Sequence, residues 1–237
     1  MPLNRRTALI VALVGLFAVS HGVIFIRLAG DAPALLIALA RVAIATAVIA
    51  PFGLFALSVR PELPTGAMRR AVVASLLGGL FLALHFASWI TSLERVSIAE
   101  STILVSLTPV WVALIDVATG RGMPNRRLLL AIALCLTGTL VLALDGAQRL
   151  DGDLTGLLLA VAGGLFMALY LISGRQARAV LQTSSYATLC YGTAALLLGA
   201  AVCALDVEVT GYGWPTYAAL LALGLVSQVI GHTSYNW

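Results

Sequence analysis

Polar positions recur at regular intervals along this chain, and the residues between them form eight apolar segments of about twenty residues each. The hydrocarbon core of a bilayer is about 30 Å thick, so a helix rising about 1.5 Å per residue needs roughly 20 apolar residues to cross it. Each segment therefore predicts one membrane-spanning helix, and we number the spans one to eight in chain order. They are residues 7–28, 33–57, 71–92, 98–119, 128–144, 155–173, 186–204 and 215–237.

The composition supports a membrane protein independently of the pattern. Hydrophobic residues make up 61% of the chain and charged residues only 10%, whereas a soluble domain carries about 25% charged residues. The mean hydropathy is +1.03. We therefore predict an all-α polytopic membrane protein whose surroundings are the lipid bilayer, and we interpret its net charge of +4 as a topological signal, with no nucleic acid as partner.

Positive charge alternates between the two ends of successive spans. Ten of the fourteen basic residues lie before the first span or in every second joint after it, and acidic residues dominate the other joints. Basic residues near span ends stay on the cytoplasmic side. We expect a multi-pass protein of the cell inner (cytoplasmic) membrane with its amino terminus in the cytoplasm. The ten residues are Arg5, Arg6, Arg60, Arg69, Arg70, Arg121, Arg126, Arg127, Arg175 and Arg178.

The chain also contains a weak internal repeat. The sequence GLFA at residues 15–18 recurs as GLFM at residues 164–167, and His85 near the end of the third span corresponds to His232 in the eighth. The offsets are 149 and 147 residues, so spans one to five form one unit and span six begins a second. Because five is odd, the second unit enters the membrane from the opposite side, which is typical of secondary transporters. We predict a first repeat over residues 1–146 and an incomplete second repeat over residues 147–237.

Four motifs resemble the EamA type of the drug/metabolite transporter superfamily. They are GLF at residues 15–17, Arg41 in the second span, AESTILVSLTPV at residues 99–110, and GHTSYNW at residues 231–237. The resemblance implies ten helices in two inverted five-helix repeats around a central cavity. It implies a secondary transporter of small organic metabolites such as amino acids, an exporter that works by alternating access without ATP.

The resemblance also implies about 290 residues, so the second repeat lacks the equivalents of helices nine and ten. We expect that the chain is a fragment of a longer protein. The alternative is a naturally short chain that a homodimer or a separate partner completes.

Polar residues inside the spans are the candidates for a substrate site, because such residues are expensive in lipid and usually face the bundle interior. His85 and Trp89 share one face of the third span, and Gln228, His232 and Asn236 share one face of the eighth. Since these spans correspond in the repeat, we expect the two polar stripes to face each other. The other cavity candidates are His21, Ser101, Thr108 and Tyr170. The alternative interpretation is structural: a membrane histidine can simply bond a neighbouring helix, and Trp89 and Tyr170 suit an interfacial aromatic belt.

Two charges and one proline in the spans have other candidate roles. Glu100 begins the fourth span, where it is either solvated at the surface or available for proton or cation coupling. For Arg41 we favour structural pairing, with a carbonyl or with an acid such as Glu100, over substrate contact. Pro109 removes a helical hydrogen bond and is either a hinge or a static bend.

Other classes of protein lack their signatures in the sequence. There is no H-E-x-x-H metal motif and no nucleotide-binding loop, so we predict no enzyme, no catalytic residues and no ATP-driven pump. The three cysteines have no C-x-x-C spacing, so we predict no metal and no cofactor. A non-transporting membrane scaffold and a channel remain the alternatives to a carrier of a small-molecule substrate.

Overall fold

The structure is a computed structural model that describes residues 4–59, 65–146 and 153–236. All regular structure in these ranges is helical. The helices are α1 (Arg5–Ser20), α2 (Gly22–Leu28), α3 (Ala34–Ser58), α4 (Thr65–Ser92), α5 (Ile98–Val105), α6 (Thr108–Ala118), α7 (Arg126–Gly146), α8 (Leu154–Arg178), α9 (Thr183–Ala204), α10 (Trp214–Ala222), a π-helical segment (Leu223–His232) and α11 (Thr233–Tyr235).

This architecture confirms the predicted all-α membrane bundle. In the part of the chain that the structure describes, seven helical stretches are long and apolar enough to cross a membrane. They coincide with the predicted spans one to four and six to eight. The predicted fifth span, residues 128–144, lies within α7, a helix of 21 residues.

Spans one and four are interrupted helices, and span eight is a continuous helix with a π-helical middle. The first is broken at His21, between α1 and α2, and the fourth between α5 and α6, while the eighth passes from α10 through the π-helical segment to α11. At the first break, the Ser20 hydroxyl donates to the Leu16 carbonyl and His21 Nδ1 lies 2.8 Å from the Phe17 carbonyl oxygen. Side chains that bond their own helix in this way compete with the backbone ladder.

Pro109 explains the break in the fourth span. Proline has no N–H to donate to the carbonyl four residues earlier, and that carbonyl belongs to Val105. The Thr108 hydroxyl donates to the Val105 carbonyl instead, at 2.7 Å. Pro109 sits in the first turn of α6, where its fixed backbone torsion is well tolerated. The predicted disturbance at this proline is therefore a true interruption between two short helices.

Three antiparallel helix pairs build the bundle. In the first, α4 packs along α8, with Gly163 against Trp89. In the second, α3 packs along α9, with Gly53 against Thr188. In the third, α1 packs along the end of the eighth span, with Gly15 against Ser234. In addition, α4 contacts α9, and α3 contacts the π-helical segment.

This contact pattern has an internal symmetry. Spans one, two and three can be exchanged with spans six, seven and eight. The α4–α8 pair joins spans three and six, so the exchange converts it into the pair of spans eight and one, which is the pair between α1 and the eighth span. The same exchange maps the α3–α9 pair onto itself, and the α4–α9 contact onto the contact between α3 and the π-helical segment. Span four lies against α8 through α5 and α6.

Small residues allow these close approaches. A Cβ atom at Gly79 of α4 would lie only 2.5 Å from the Cys190 carbonyl oxygen of α9, so no larger residue fits there. Ser75 and Ala83, one helical turn away on either side, are buried as well. Small residues on one helical face let membrane helices pack backbone to backbone. Helix α4 accordingly lies at the centre of the bundle.

Ion pairs tie the helix ends together. Arg95, after α4, donates to the Asp153 carboxylate at the start of α8 at 2.7 Å. That hydrogen bond holds the pKa of the Asp153 carboxyl below its usual value, so this group stays ionised. Asp116 of α6 accepts from Arg175 of α8 at 2.8 Å and lies 3.5 Å from Arg121.

Candidate functional site

A cavity of about 730 Å³ lies between α1, α2, α4, α5, α6, α8 and the end of the eighth span. This volume suits a small organic ligand. Most of the wall is apolar. The lining residues are Leu16, Val19, Ser20, Val23, His85, Trp89, Thr102, Val105, Ser106, Thr108, Pro109, Met167, Leu171, His232 and Tyr235.

The interrupted spans meet at this cavity. Ser20 lies beside the break in the first span, Pro109 beside the break in the fourth, and His232 ends the π-helical segment. The two uninterrupted helices, α4 and α8, supply His85, Trp89, Met167 and Leu171. In membrane transporters, broken helices at a central site provide backbone groups and points of bending. Several residues of α1, α5 and α6 at the rim are exposed, so the cavity opens between the first and fourth spans.

Two histidines from different spans stand next to each other in the wall. The ring centroids of His85 and His232 are 6.4 Å apart. His85 stacks on the Trp89 indole with 5.7 Å between centroids and 10° between planes. His85 Nδ1 bonds the Gly163 carbonyl of α8 at 2.9 Å, whereas His232 Nδ1 is buried without a partner among the described residues.

Arg41 lies behind the histidines, on the side away from the cavity. Its side chain is buried, and its guanidinium carbon stands 4.2 Å above the centre of the Phe86 ring. Arg41 Nε donates to the Gln228 amide oxygen at 2.7 Å, and Nη2 approaches the Ser227 carbonyl at 3.4 Å. The Phe86 ring is 5.3 Å from the His232 ring. One aromatic ring therefore separates a buried positive charge from the cavity wall.

A second polar network closes the bundle beyond His232. The Asn236 side-chain amide donates to the Tyr170 and Tyr191 hydroxyls, and Tyr191 is 3.2 Å from the Thr233 hydroxyl. The backbone carbonyl of Asn236 accepts from Arg178 at 2.8 Å. These bonds join the end of the eighth span to α8 and α9.

The structure brings some of the predicted site residues to the cavity and places others elsewhere. His85, Trp89, Thr108, Pro109 and His232 line it. Trp89 is buried there, and its Nε1 has no partner among the described residues. Tyr170, Gln228 and Asn236 are fully buried behind the lining, in the two networks described above.

Three other predicted residues have local partners. Ser101 bonds Ser92 of α4 at 2.6 Å. His21 bonds the Phe17 carbonyl of its own helix. The Glu100 carboxylate caps α5 by accepting from the Ser97 backbone N–H at 2.8 Å. The pairing of Arg41 with Glu100 that we considered is therefore not present, and the polar partners of Arg41 are Gln228 and Ser227.

Several lining residues were not among the sequence candidates. Thr102, Ser106 and Tyr235 each contribute to the wall. Thr102 and Ser106 are four residues apart on the face of the fourth span that also carries Pro109. That spacing was a usable signal, whereas nothing in the sequence separates Tyr235 from its neighbours.

A helical bundle with a ligand-sized cavity beside two interrupted spans and one π-helical span has the architecture of membrane transporters of small molecules. The chain belongs to the EamA-like transporter family, whose model matches residues 6–144. It is therefore a multi-pass membrane transporter of small molecules and not an enzyme.

A structural comparison agrees on the fold. One solved crystal structure superposes with a TM-score of 0.70 at 20% sequence identity, covering 98% of this chain and 79% of the other. No curated protein sequence matches the chain.

Proposed function

We propose that this protein is a secondary transporter that exports small organic metabolites, amino acids among them, by alternating access and without ATP. One observation carries the proposal. The cavity lies where the interrupted spans one and four and the π-helical part of span eight meet the straight helices α4 and α8.

The breaks support alternating access in mechanical terms. A helix interrupted near mid-span can tilt one half without moving the other, because few backbone hydrogen bonds cross the break. Phe17 and Leu16 on α1 are 70% and 55% exposed, so this helix has little protein on one side to hold it. Spans one and four are thus the elements that we expect to move across the opening of the cavity.

We also propose that the chain contains two inverted repeats, over residues 1–146 and 147–237. The symmetric exchange of helix contacts supports this division, as does the family match over residues 6–144. The two histidines that occupy matching positions, His85 and His232, lie together at the cavity. Alternating access then corresponds to an exchange between the two repeats.

For the orientation we propose an amino terminus in the cytoplasm and a location in the cell inner membrane. The alternation of arginines between the joints supports this assignment.

The test is solute exchange in liposomes that contain the purified protein, assayed with a panel of radiolabelled amino acids and other small metabolites. We expect exchange of at least one solute and a loss of about tenfold or more in His85→Ala and in His232→Ala. Leu130→Ala is the control, because Leu130 of α7 is 61% exposed and lies outside the cavity lining, so its loss should leave exchange unchanged.

Each other result has a defined meaning. An ohmic current would identify a channel, and the absence of flux for every solute would favour a scaffold. Undiminished exchange in both cavity variants, at wild-type protein levels, would move the substrate site away from this cavity.

A further inference from the structure

We propose that the cavity binds its substrate through a carboxylate, and that Arg41 supplies the balancing positive charge from behind the Phe86 ring. This inference rests on the proposed transport function, and it names the class of substrate that the cavity binds. Sequence reasoning favoured a purely structural role for this arginine, and the contacts of its side chain lead to a different assignment.

The first argument is that Arg41 has no acidic partner in the part of the chain that the structure describes. Its bonds go to the neutral Gln228 side chain and the Ser227 carbonyl, and its Nη1 is buried without any partner among the described residues. The acids whose side chains the structure describes are exposed or half-buried at the ends of helices or in the joints. They are Asp31, Glu94, Glu100, Asp116, Asp153, Asp206 and Glu208.

A buried charge without a counter-ion is unfavourable, because the low-dielectric interior replaces the hydration that it loses. Gln228 and the Phe86 ring compensate Arg41 only in part. An anion that enters the cavity would complete the compensation. Protein and not bulk water lies between the guanidinium and the Phe86 ring, so the field of the charge is screened less there than it would be in water.

The second argument comes from buried polar atoms of the wall residues that have no partner among the described residues and that a small side-chain movement would bring to a ligand. Trp89 Nε1 and His232 Nδ1 belong to cavity-lining residues and have no partner among the described residues. An indole N–H donates only, and a neutral histidine donates from one of its two nitrogens. Gln228 Nε2, a third unpaired donor, stands behind the wall beside Arg41. Unsatisfied buried donors around a positive charge suit an acceptor-only group such as a carboxylate.

The third argument concerns the net charge of the ligand and the apolar part of its structure. One buried guanidinium balances one negative charge, which fits a monocarboxylate better than a phosphomonoester of charge about −1.5 to −2. The rest of the wall is largely apolar and includes Val19, Val105 and Leu171. The site therefore fits a small carboxylate with a linear, branched or aromatic apolar body.

The experiment compares acids with amides of the same shape. Purified full chain in nanodiscs is titrated with hexanoate and hexanamide, 4-methylpentanoate and 4-methylpentanamide, and phenylacetate and phenylacetamide, with binding followed calorimetrically. We expect at least one acid to bind at least about tenfold tighter than its amide. Arg41→Gln should bring the ratio of the amide and acid dissociation constants close to one. Arg41→Lys should retain most of the preference for the acid.

Two further variants make the result specific. Arg27→Gln removes one exposed positive charge from α2 and should leave the ratio unchanged. Trp89→Phe keeps an aromatic ring but removes the free N–H, and should weaken the acid several-fold while leaving the amide almost unaffected. If Arg41→Gln does not fold, the result for Trp89→Phe decides whether the cavity binds a carboxylate.

Three results would overturn the proposal: no carboxylate binds, amides bind as tightly as acids, or the ratio survives Arg41→Gln. Failure here is distinguishable from failure of the transporter proposal. A protein that exchanges neutral solutes but shows no acid preference keeps its transport function and loses this assignment. A protein that binds the acid more tightly than the amide but moves no solute keeps this assignment and loses the transport function.

Discussion

The α4–α8 pair and the pair between α1 and the eighth span occupy equivalent places in the bundle, yet they differ in continuity. Helices α4 and α8 run unbroken for 28 and 25 residues. Their counterparts are broken at His21 and distorted over Leu223–His232. Burial differs most between α4, where 56% of the most apolar window is buried, and the first span, where 22% is buried; α8 and the eighth span are similar, at 44% and 39%.

This difference assigns different mechanical roles to the two pairs. A continuous helix that is packed on several sides cannot tilt without disturbing its neighbours. A broken helix that is exposed on one side can tilt at low cost. We infer that α4 and α8 form the fixed wall of the cavity and that the first span, together with the break in the fourth, forms the moving wall.

The strongest test of the fixed wall is Gly79→Leu. A side chain at this position meets the Cys190 carbonyl and Thr193 of α9, and overpacking in a tight interior costs about 1–3 kcal/mol and occasionally more. We expect little folded protein, measured as the monodisperse fraction in detergent and the melting temperature. Wild-type folding in this variant would show that α4 is not held rigidly against α9.

Gly15→Ala tests the moving wall at a close contact between two helices, as Gly79→Leu tests the fixed wall. The new Cβ would lie 2.7 Å from the Ser234 Cβ, but α1 can shift away from it because its opposite face is exposed. We expect a change in melting temperature of only about 1–2 °C, together with a several-fold loss of solute exchange. A large loss of stability would place α1 in the fixed part of the protein.

Pro109→Ala examines the break in the fourth span directly. Alanine restores an N–H that competes with the Thr108 hydroxyl for the Val105 carbonyl, which favours a continuous helix. We expect an equal or higher melting temperature and an exchange rate reduced by about two- to fivefold. Unchanged exchange would identify the break as static. Pro51→Ala, inside the uninterrupted α3, is the matched proline control.

Asp116→Asn should produce the smallest effect. It weakens the ion pairs from α6 to Arg175 and Arg121, whose side chains are 55% and 41% exposed. Pairs of this kind contribute about 0–1 kcal/mol and are screened by salt. We expect a destabilisation of at most about 1 kcal/mol that shrinks when the salt concentration is raised. An effect independent of salt would indicate a role beyond the ion pairs.

The helical bundle can be predicted from the sequence alone, but only some of the residues that line the cavity can. Span positions depend on local hydropathy, so residues 128–144 and the other apolar segments are readable one at a time. The break at Pro109 is also local, because proline acts through its own missing N–H. The bond between Arg41 and Gln228 joins residues 187 positions apart, so only the folded chain reveals it.

The histidines illustrate the same limit. His21, His85 and His232 are all polar residues inside apolar segments, and nothing local distinguishes them. Tertiary packing turns His85 and His232 into the cavity while His21 bonds its own helix. Likewise, α-helical spacing predicts one shared face for Gln228, His232 and Asn236, but the segment is π-helical up to His232, and of the three only His232 lines the cavity.

The most direct measurement is the accessibility of a cysteine placed in the cavity at Met167, in a protein whose native Cys135, Cys190 and Cys203 have been replaced by alanine. A membrane-impermeant thiol reagent is applied to either side of sealed proteoliposomes. The account predicts labelling of Met167→Cys from both sides, with protection by a transported solute. Labelling from one side only, unaffected by any solute that the protein exchanges, would contradict alternating access through this cavity.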